Sequence, residues 1–187
     1  MFSQMYWAWS GILPASFCKL VLDSLDWDQA IQGKIREGDG FLDEEKRVTD
    51  VLWQDVNTPI AAVASHYTRM ANDLAGWNFD IKYPENVQVG RYVEGGHYDW
   101  HHDTQSPDVN GFQRKLSCSI LLNDSSDYDG GLLEIKDVSI APPTVQGSVI
   151  IFPSIVSHRV SPVTRGERYS AVCWTVGPAF KLSLIHI

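Results

Sequence analysis

Apolar residues recur at helical spacing in two segments of the first half of the chain. Residues 13–25 form the shorter segment, with Pro14 near its start, where proline suits the first turn of a helix. Residues 57–77 form the longer segment, in which Pro59 fits the first turn and Gly76 the end. One face of this second predicted helix carries Ile60, Val63, Tyr67, Met70 and Leu74.

From about residue 78 the pattern changes to short β-rich segments separated by glycine and proline turns. Many short strands with regular turns are typical of a sandwich or barrel. Because the helices are confined to the first half, we expect an α+β fold, mainly β: a double-stranded β-helix (jelly roll) backed by N-terminal helices. The predicted strands are 79–83, 87–93, 97–103, 115–123, 131–137, 147–153, 157–163 and 168–176.

The chain of 187 residues is long enough for one domain with a proper core. We expect helical support over about 1–77 and the catalytic jelly-roll core over about 78–178. The polar, glycine-bearing stretch 32–46 predicts a loop. The apolar tail 181–187 follows the last predicted strand; it is interpreted either as a terminal strand or as a segment foreign to the natural protein, and no function is placed on its His186.

The net charge of −8 argues against non-specific nucleic-acid binding, which needs a basic face to neutralise phosphates. The first twenty residues have no basic residue before Lys19, and their apolar runs are short. We therefore expect neither a signal peptide nor a membrane partner. Three cysteines without a paired motif favour a reducing, cytoplasmic setting.

The segment 97–104, "HYDWHHDT", is the richest in candidate chemistry. It contains two overlapping pairs, His97-x-Asp99 and His101-x-Asp103, and residues two apart lie on the same face of a strand. Two histidines and one carboxylate leave three positions open on Fe(II). Taken alone, the segment is better explained as a solvated polar loop, and its residues do not distinguish between the two pairs.

A third ligand has to come from downstream, where only His158 and His186 remain. His158 opens a predicted strand, whereas His186 lies in the doubtful tail, so His158 completes the triad if one exists. Ten positions later, Arg168 on the next antiparallel strand can face the same cavity. Its guanidinium suits bidentate binding of a carboxylate. A metal with three open positions beside an arginine is what a chelating keto-diacid requires.

Three ordered motifs resemble the prolyl-4-hydroxylase-type 2-oxoglutarate/Fe(II)-dependent dioxygenase family. "YVEGGHYDWHHDT" is similar to the family's Tyr-x-x-Gly-x-x-Tyr-x-x-His-x-Asp pattern, and "HRVSPVTRGERYSAVCW" to its His-x-Val-x-Pro-Val-x-x-Gly-x-Arg-x-Ser segment. "LLNDSSDYDGGLLEI" is similar to the link between strands, with Asn123 and the pair Gly130 and Gly131 in place. The resemblance covers roughly residues 86–178, about half of the chain.

The tyrosine register of that family selects between the two His-x-Asp pairs. It fits Tyr92 and Tyr98. The Fe(II) ligands that the resemblance implies are His101, Asp103 and His158. His97 and Asp99 then lie at the rim of the site, on the loop that leads into the strand, and by alternation they share the strand face of His101. The side chain of His102, between the two ligands, is expected to point away.

The resemblance also implies how the cosubstrate 2-oxoglutarate binds. Its far carboxylate pairs with Arg168, helped by the Tyr92 hydroxyl and by Ser170, and Trp174 lies beside the iron. A tyrosine, serine or tryptophan in such positions can also simply close the core. Asp103, as a carboxylate, suits hydroxylation better than the related halogenation. O2 is the co-reactant, and ascorbate is a candidate reductant.

The implied reaction is hydroxylation of a C–H bond with release of succinate and CO2, and the implied substrate is a prolyl residue in a protein or peptide. A free amino acid or other small molecule is the alternative substrate. Two other classes stay open: a non-catalytic jelly-roll binding module with a vestigial metal site, and a jelly-roll isomerase or hydrolase using another metal. Substrate contacts are expected on the loops 32–46, 94–100 and 104–114.

Overall fold

The computed structural model describes residues 4–34 and 43–180. Over these residues the chain forms two α-helices, α1 (Ala15–Asp23) and α2 (Pro59–Leu74), and fourteen β-strands. The strands are β1 (Trp7–Trp9), β2 (Ile31–Gln32), β3 (Arg47–Val48), β4 (Asp50–Gln54), β5 (Tyr83–Pro84), β6 (Val87–Tyr92), β7 (His97–His101), β8 (Phe112–Leu121), β9 (Tyr128–Gly130), β10 (Leu133–Ile135), β11 (Val149–Pro153), β12 (His158–Val160), β13 (Val163–Gly166) and β14 (Arg168–Pro178). The tail 181–187 and the middle of the predicted loop 32–46 lie outside the described residues.

The strands form two larger antiparallel sheets that face each other. The first has the order β1-β11-β8-β14-β6-β4-β2, with β5 also paired to β14, and the second has the order β10-β12-β7-β3. A separate hairpin-like pair joins β13 and β9. Between the sheets, Leu121 and Phe152 of the first pack with Ile135 of the second. This is the arrangement of a jelly roll, in which a site can form between the sheets.

Helix α2 covers the outer face of the large sheet with part of the apolar face identified in the sequence. The buried residues of α2 are Ile60, Ala61, Ala64, Thr68, Ala71 and Asn72. Leu74, at the end of that apolar face, is 54% exposed. Small alanines let the helix approach the sheet closely, and the larger Val63 and Tyr67 pack at the margins of the same cluster. The predicted start was correct: Thr58 is the N-cap and Pro59 the first helical residue.

Two edge segments depart from the predicted strands. The predicted strand 79–83 pairs only at Tyr83–Pro84, because the amide side chain of Asn72 hydrogen-bonds both backbone groups of Phe79 (3.0 and 2.9 Å) and ties the segment to α2. The strand Trp7–Trp9, which the sequence pattern did not predict, pairs with β11 at the edge of the large sheet. Among the described residues no helix is long and apolar enough to cross a bilayer.

Candidate active site

The three predicted metal-binding side chains meet between the sheets. His101 ends β7 and is the register partner of His158, which begins β12. Asp103 follows two residues after β7 and lies with its carboxylate between the two imidazoles. The Nε2 atoms of His101 and His158 are 3.5 and 3.4 Å from its two carboxylate oxygens. One ligand atom from each residue lies within 4.8 Å of the others, so the three can hold one metal ion.

Backbone and side-chain hydrogen bonds fix the orientation of these three groups. Nδ1 of His101 donates to the carbonyl of Asp99 (2.8 Å), and Nδ1 of His158 donates to that of Val156 (3.0 Å). With Nδ1 protonated, the lone pair of each ring is on Nε2, the atom that faces Asp103. One oxygen of Asp103 accepts from the Ser117 hydroxyl (2.7 Å). The donor set of two imidazoles and one carboxylate, with this outer support, fits Fe(II).

Burial and neighbouring charges shift the pKa values of these groups in opposite directions. Burial alone would raise the pKa of Asp103, but the charges and hydrogen bonds of His158 and His101 hold it well below its usual range. Burial likewise opposes protonation of His158, yet the Asp103 carboxylate outweighs it and raises the pKa of His158. Burial lowers the pKa of His101. A fixed negative charge beside two imidazoles favours a bound cation.

A β-bulge shapes the wall beside the triad. His101 and Tyr98 of β7 pair with His158 and Val160 of β12, so Asp99 and Trp100 lie opposite the single residue Arg159. The bulge reverses the expected alternation, so that Tyr98 shares the inner face with His101. The expectation that Asp99 lies on the same strand face as His101 was therefore wrong.

The neighbouring polar residues of β7 have other contacts. The carboxylate of Asp99 pairs with Lys46 at 3.2 Å, and its side chain is 46% exposed. The ring of His97 contacts the carbonyls of Gly95 (2.9 Å) and Glu45 (3.2 Å). His102 is exposed and outside the triad, although it still lines the pocket instead of pointing away from it.

Arg168 is buried at the start of β14, with 1% of its surface exposed. It is the register partner of Tyr92, and its guanidinium carbon lies 5.3 Å from the centroid of that ring. Nη1 donates to the Ser170 hydroxyl at 2.8 Å, while Nε has no hydrogen-bond partner. A buried guanidinium that meets no carboxylate among the described residues fits a site for an anionic ligand.

Two features of the predicted interstrand link hold Arg168 in place. The side-chain amide of Asn123 donates to the carbonyl of Glu167 (2.8 Å) and accepts from the amide of Tyr169 (2.8 Å), which fixes the backbone on both sides of Arg168. Gly131 has φ +59°, and a Cβ there would come within 2.8 Å of Cδ of Arg168. Only glycine leaves room for the extended arginine at this point.

Trp174 lies on the same face of β14 as Arg168 and lines a pocket of about 830 Å³ together with His101 and Asp103. Arg114 is stacked over its indole ring at 3.8 Å and binds Glu85 at 2.6 Å. The indole Nε1 of Trp174 is buried without a hydrogen-bond partner. Trp174 is thus both a buried aromatic and a wall of the pocket, so neither sequence interpretation is excluded.

Three residues of the N-terminal half, Lys34, Arg47 and Trp53, also line this pocket. Lys34 lies in the loop 32–46, on which substrate contacts were predicted. Sequence reasoning missed Arg47 and Trp53, which no motif marked. The available signal was weak: in the strand region 47–53, odd-numbered positions face one side, and Arg47 is a charged residue among them. These strands close the edge of the jelly roll beside β6 and β7.

Residues 87–176, slightly less than half of the chain, match the family model of the 2OG-Fe(II) oxygenase superfamily. The PKHD-type hydroxylase PiuC of Pseudomonas aeruginosa is 37% identical over 92 residues, which are 45% of this chain and 40% of the relative. A PKHD-type hydroxylase of Sphingopyxis alaskensis is 41% identical over 86 residues, 44% of this chain and 39% of the relative. The chain thus spans about two fifths of the length of these curated relatives.

Solved structures share the fold over nearly the whole chain. A Pseudomonas putida prolyl-4-hydroxylase superimposes with a TM-score of 0.69 at 22% identity, covering 92% of each chain. The viral collagen prolyl hydroxylase of Paramecium bursaria Chlorella virus-1 gives a TM-score of 0.70 at 20% identity, covering 94% of this chain and 97% of the other. These structures confirm the predicted jelly roll. The oxygenase family model over residues 87–176 and the PKHD-type hydroxylase relatives support the predicted family resemblance.

Proposed function

We propose that this chain is an Fe(II)- and 2-oxoglutarate-dependent dioxygenase that hydroxylates a C–H bond and releases succinate and CO2. One observation carries the proposal: a buried His101, Asp103 and His158 group shares the interior of the jelly roll with Arg168, a buried guanidinium that meets no carboxylate among the described residues. A metal chelated by a keto-acid uses the first group, and the far carboxylate of that acid uses the second.

In this function His101, Asp103 and His158 hold the metal. When bound there, Fe(II) with O2 and 2-oxoglutarate supplies the oxidising chemistry. The protein keeps both Nε2 lone pairs available, because the carbonyls of Asp99 and Val156 hold the Nδ1 protons. Asp103 supplies the negative charge, and its hydrogen bond from Ser117 fixes the carboxylate orientation.

Arg168 binds the far carboxylate of 2-oxoglutarate, with Ser170 and Tyr92 as neighbours that orient the guanidinium. The 2.8 Å bond from Nη1 to Ser170 and the Tyr92 ring at 5.3 Å support this role. Trp174 forms the pocket wall near the metal ligands. Nε of Arg168 and Nε1 of Trp174 are buried donors without a partner, and ligand oxygens placed beside them would satisfy both.

A prolyl residue in a protein or peptide is the first candidate substrate. The names of the structural neighbours support it, among them a Trichoplax adhaerens prolyl hydroxylase solved with a peptide fragment of the hypoxia inducible factor oxygen degradation domain (TM-score 0.63, 17% identity, covering 92% of this chain and 84% of the other). A free amino acid is the second candidate, because the pocket is large enough for either.

Three further proposals accompany this function. The chain works as a single domain, since the strands of both halves line one pocket. It works in the cytoplasm, supported by Cys18, Cys118 and Cys173, which are buried free thiols. Ascorbate is proposed as the reductant that keeps the iron ferrous, on the family resemblance alone.

The test is an anaerobic Fe(II) titration followed by NMR detection of succinate from 2-oxoglutarate in air. We expect one Fe(II) per chain and slow succinate release even without the true substrate, and Asp103→Ala as the control should lose both. Iron binding without any succinate would favour the non-catalytic binding module. Turnover of another substrate class with Zn(II) or Mn(II), and none with Fe(II), would favour the isomerase or hydrolase.

A further inference from the structure

Arg47 lines the pocket and is, after Arg168, the second buried arginine of the described chain that lacks an acidic partner. Only 7% of its surface is exposed. Nη1 donates to the carbonyl of Lys34 (3.1 Å), Nη2 donates to the side-chain carbonyl of Gln88 (2.6 Å), and Nε has no partner. All of these partners are neutral, and no carboxylate of the described residues forms an ion pair with Arg47. An uncompensated buried charge is costly, so it calls for an explanation.

Most other described arginines have the expected partner. Ion pairs join Arg91 to Asp50 (2.8 Å), Arg114 to Glu85 (2.6 Å), Arg159 to Glu134 (2.9 Å) and Arg165 to Asp129 (2.7 Å). Among the buried arginines of the described chain, Arg47 and Arg168 are the two without one. The proposed function assigns a carboxylate of 2-oxoglutarate to Arg168. Arg47 is left for a different anion.

The position of Arg47 places that anion beside the metal ligands. Arg47 is the register partner of Tyr98, and its guanidinium carbon lies 4.6 Å from the centroid of the Tyr98 ring. The imidazole of His101 is stacked on the same ring, with the centroids 3.5 Å apart. The Tyr98 ring therefore contacts both the guanidinium and a metal ligand, and Arg47 and His101 line the same pocket.

The charge of the pocket favours an anion as well. Apart from histidines, the charged residues that line it within the described chain are Lys34, Arg47, Arg114 and Asp103. Glu85 offsets Arg114, and a metal ion offsets Asp103. Lys34 and Arg47 remain, in a chain whose net charge is −8. A local cationic wall in an acidic protein attracts a negatively charged ligand.

We propose that Arg47 determines specificity by binding a carboxylate of the primary substrate, so that this enzyme acts on a carboxylate-bearing substrate. The inference rests on the function proposed above. Because the Tyr98 ring covers one face of the guanidinium, the ligand approaches in the guanidinium plane, where a planar carboxylate fits. The carboxylate comes either from the α-carboxyl group of a free amino acid or from an acidic side chain of a peptide.

Paired probes that differ by one charge distinguish these sources. Succinate release by the Fe(II)-loaded protein is measured with L-proline against L-prolinamide, and with N-acetyl-Gly-Pro-Glu-amide against N-acetyl-Gly-Pro-Gln-amide. We expect the acid of at least one pair to have an apparent KM about tenfold or more below that of its neutral partner. Preference in the first pair identifies the α-carboxyl source, and preference in the second identifies the side-chain source.

Three variants test whether Arg47 is responsible. Arg47→Gln should abolish the preference for the acid, Arg47→Lys should keep part of it, and the exposed control Arg69→Gln should keep all of it. The apparent KM for 2-oxoglutarate should change in Arg47→Gln by a smaller factor than that for the acid. If Arg47→Gln fails to fold, the wild-type pairs and Arg47→Lys still test the charge requirement.

Equal use of acid and neutral partner by the wild type in both pairs would overturn the inference. So would an Arg47→Gln variant that keeps the preference, or one that changes the KM for 2-oxoglutarate instead. Failure of the proposed function looks different, because the wild type would then release no succinate with any probe. Turnover of 2-oxoglutarate without a charge preference would leave that function standing and remove only the role of Arg47.

Discussion

The ring of Tyr98 is stacked on the imidazole of His101, with the centroids 3.5 Å apart and the ring planes 12° apart. Residues three apart on a regular strand point to opposite faces, but the bulge opposite Arg159 turns both inward. The stack restrains the plane of the imidazole, while the carbonyl of Asp99 fixes its Nδ1 side. Together they aim Nε2 at the position where a metal would lie.

Removing the ring should therefore weaken the metal site without removing a ligand. We expect Tyr98→Ala to lower the Fe(II) affinity about 10- to 100-fold, the range found when outer support of a ligand is lost. Tyr98→Phe, which keeps the ring, should stay near the wild type. Anaerobic titration measures both variants. If the two variants lost affinity equally, the hydroxyl and not the stacked ring would be responsible.

The same bulge shows where sequence reasoning reached its limit. The jelly roll, the start of α2 and the identity of the side chains that cluster between the sheets could be predicted, because they depend on periodicity, a proline in the first helical turn and ordered motifs. The inner position of Tyr98 could not be predicted from alternation, since a bulge leaves no mark in a sequence that is itself polar and aromatic throughout. For that reason the expectation that Asp99 lies on the strand face of His101 was wrong.

Contacts that depend on the pairing of strands far apart in the sequence could not be predicted either. Arg47 precedes Tyr98 by about fifty positions, and only the β3–β7 pairing brings them together. On α2, helical periodicity marks the large apolar residues, of which Ile60, Val63 and Tyr67 do pack in the core. It gives no sign that the small Ala61 and Ala64 are also buried against the sheet. Local pattern determines which segments are helices or strands; tertiary contacts determine which of their faces are used.

Arg168→Ala should weaken 2-oxoglutarate binding while iron binding stays nearly intact. Loss of one partner of a buried charged hydrogen bond costs on the order of 2–5 kcal/mol. Isothermal titration of 2-oxoglutarate into the metal-loaded protein measures this loss. Gly131→Ala provides an independent test, since its Cβ would crowd Cδ of Arg168 at 2.8 Å and its backbone has φ +59°; it should weaken the same affinity. An unchanged affinity in Arg168→Ala would show that another cation binds the carboxylate.

The three cysteines should be chemically inert in the native protein. Cys18, Cys118 and Cys173 are all buried, and burial raises the thiol pKa of each, that of Cys173 to about 12. The thiolate is the reactive form, so a raised pKa and lack of access both slow modification. We expect no fast reaction with Ellman's reagent in buffer and three thiols in denaturant. Rapid labelling of one native thiol would contradict the packing of that cysteine.

Metal affinity should fall in acid. The neighbouring carboxylate raises the pKa of His158 above its ordinary value of 6.5, and a metal must displace that proton from Nε2. Above the raised pKa the affinity should be independent of pH; below it, each pH unit should cost up to about tenfold while a single proton competes. Co(II) titrations at several pH values give the slope. If the Co(II) affinity did not change with pH through this range, His158 would not be a ligand.

The final prediction separates the two His-x-Asp pairs of β7. Asp103→Ala and His101→Ala each remove a group whose ligand atom belongs to the buried cluster, so each should abolish succinate release and loosen iron. Asp99→Ala and His97→Ala should retain iron and 2-oxoglutarate turnover. Asp99 contributes its carbonyl to His101, which an alanine keeps, while its carboxylate is part-exposed and pairs with Lys46 at 3.2 Å, outside the triad.

The physical basis of this contrast is position along the strand. A carboxylate ligand provides both charge and one corner of the coordination face, and a carboxylate on the outer side of the bulge cannot replace it. Iron titration and succinate NMR on the four variants, with melting curves to verify folding, decide between the pairs. If Asp99→Ala lost iron while Asp103→Ala kept it, the triad would have to be reassigned to the earlier pair, although the match of residues 87–176 to the oxygenase family model would stand.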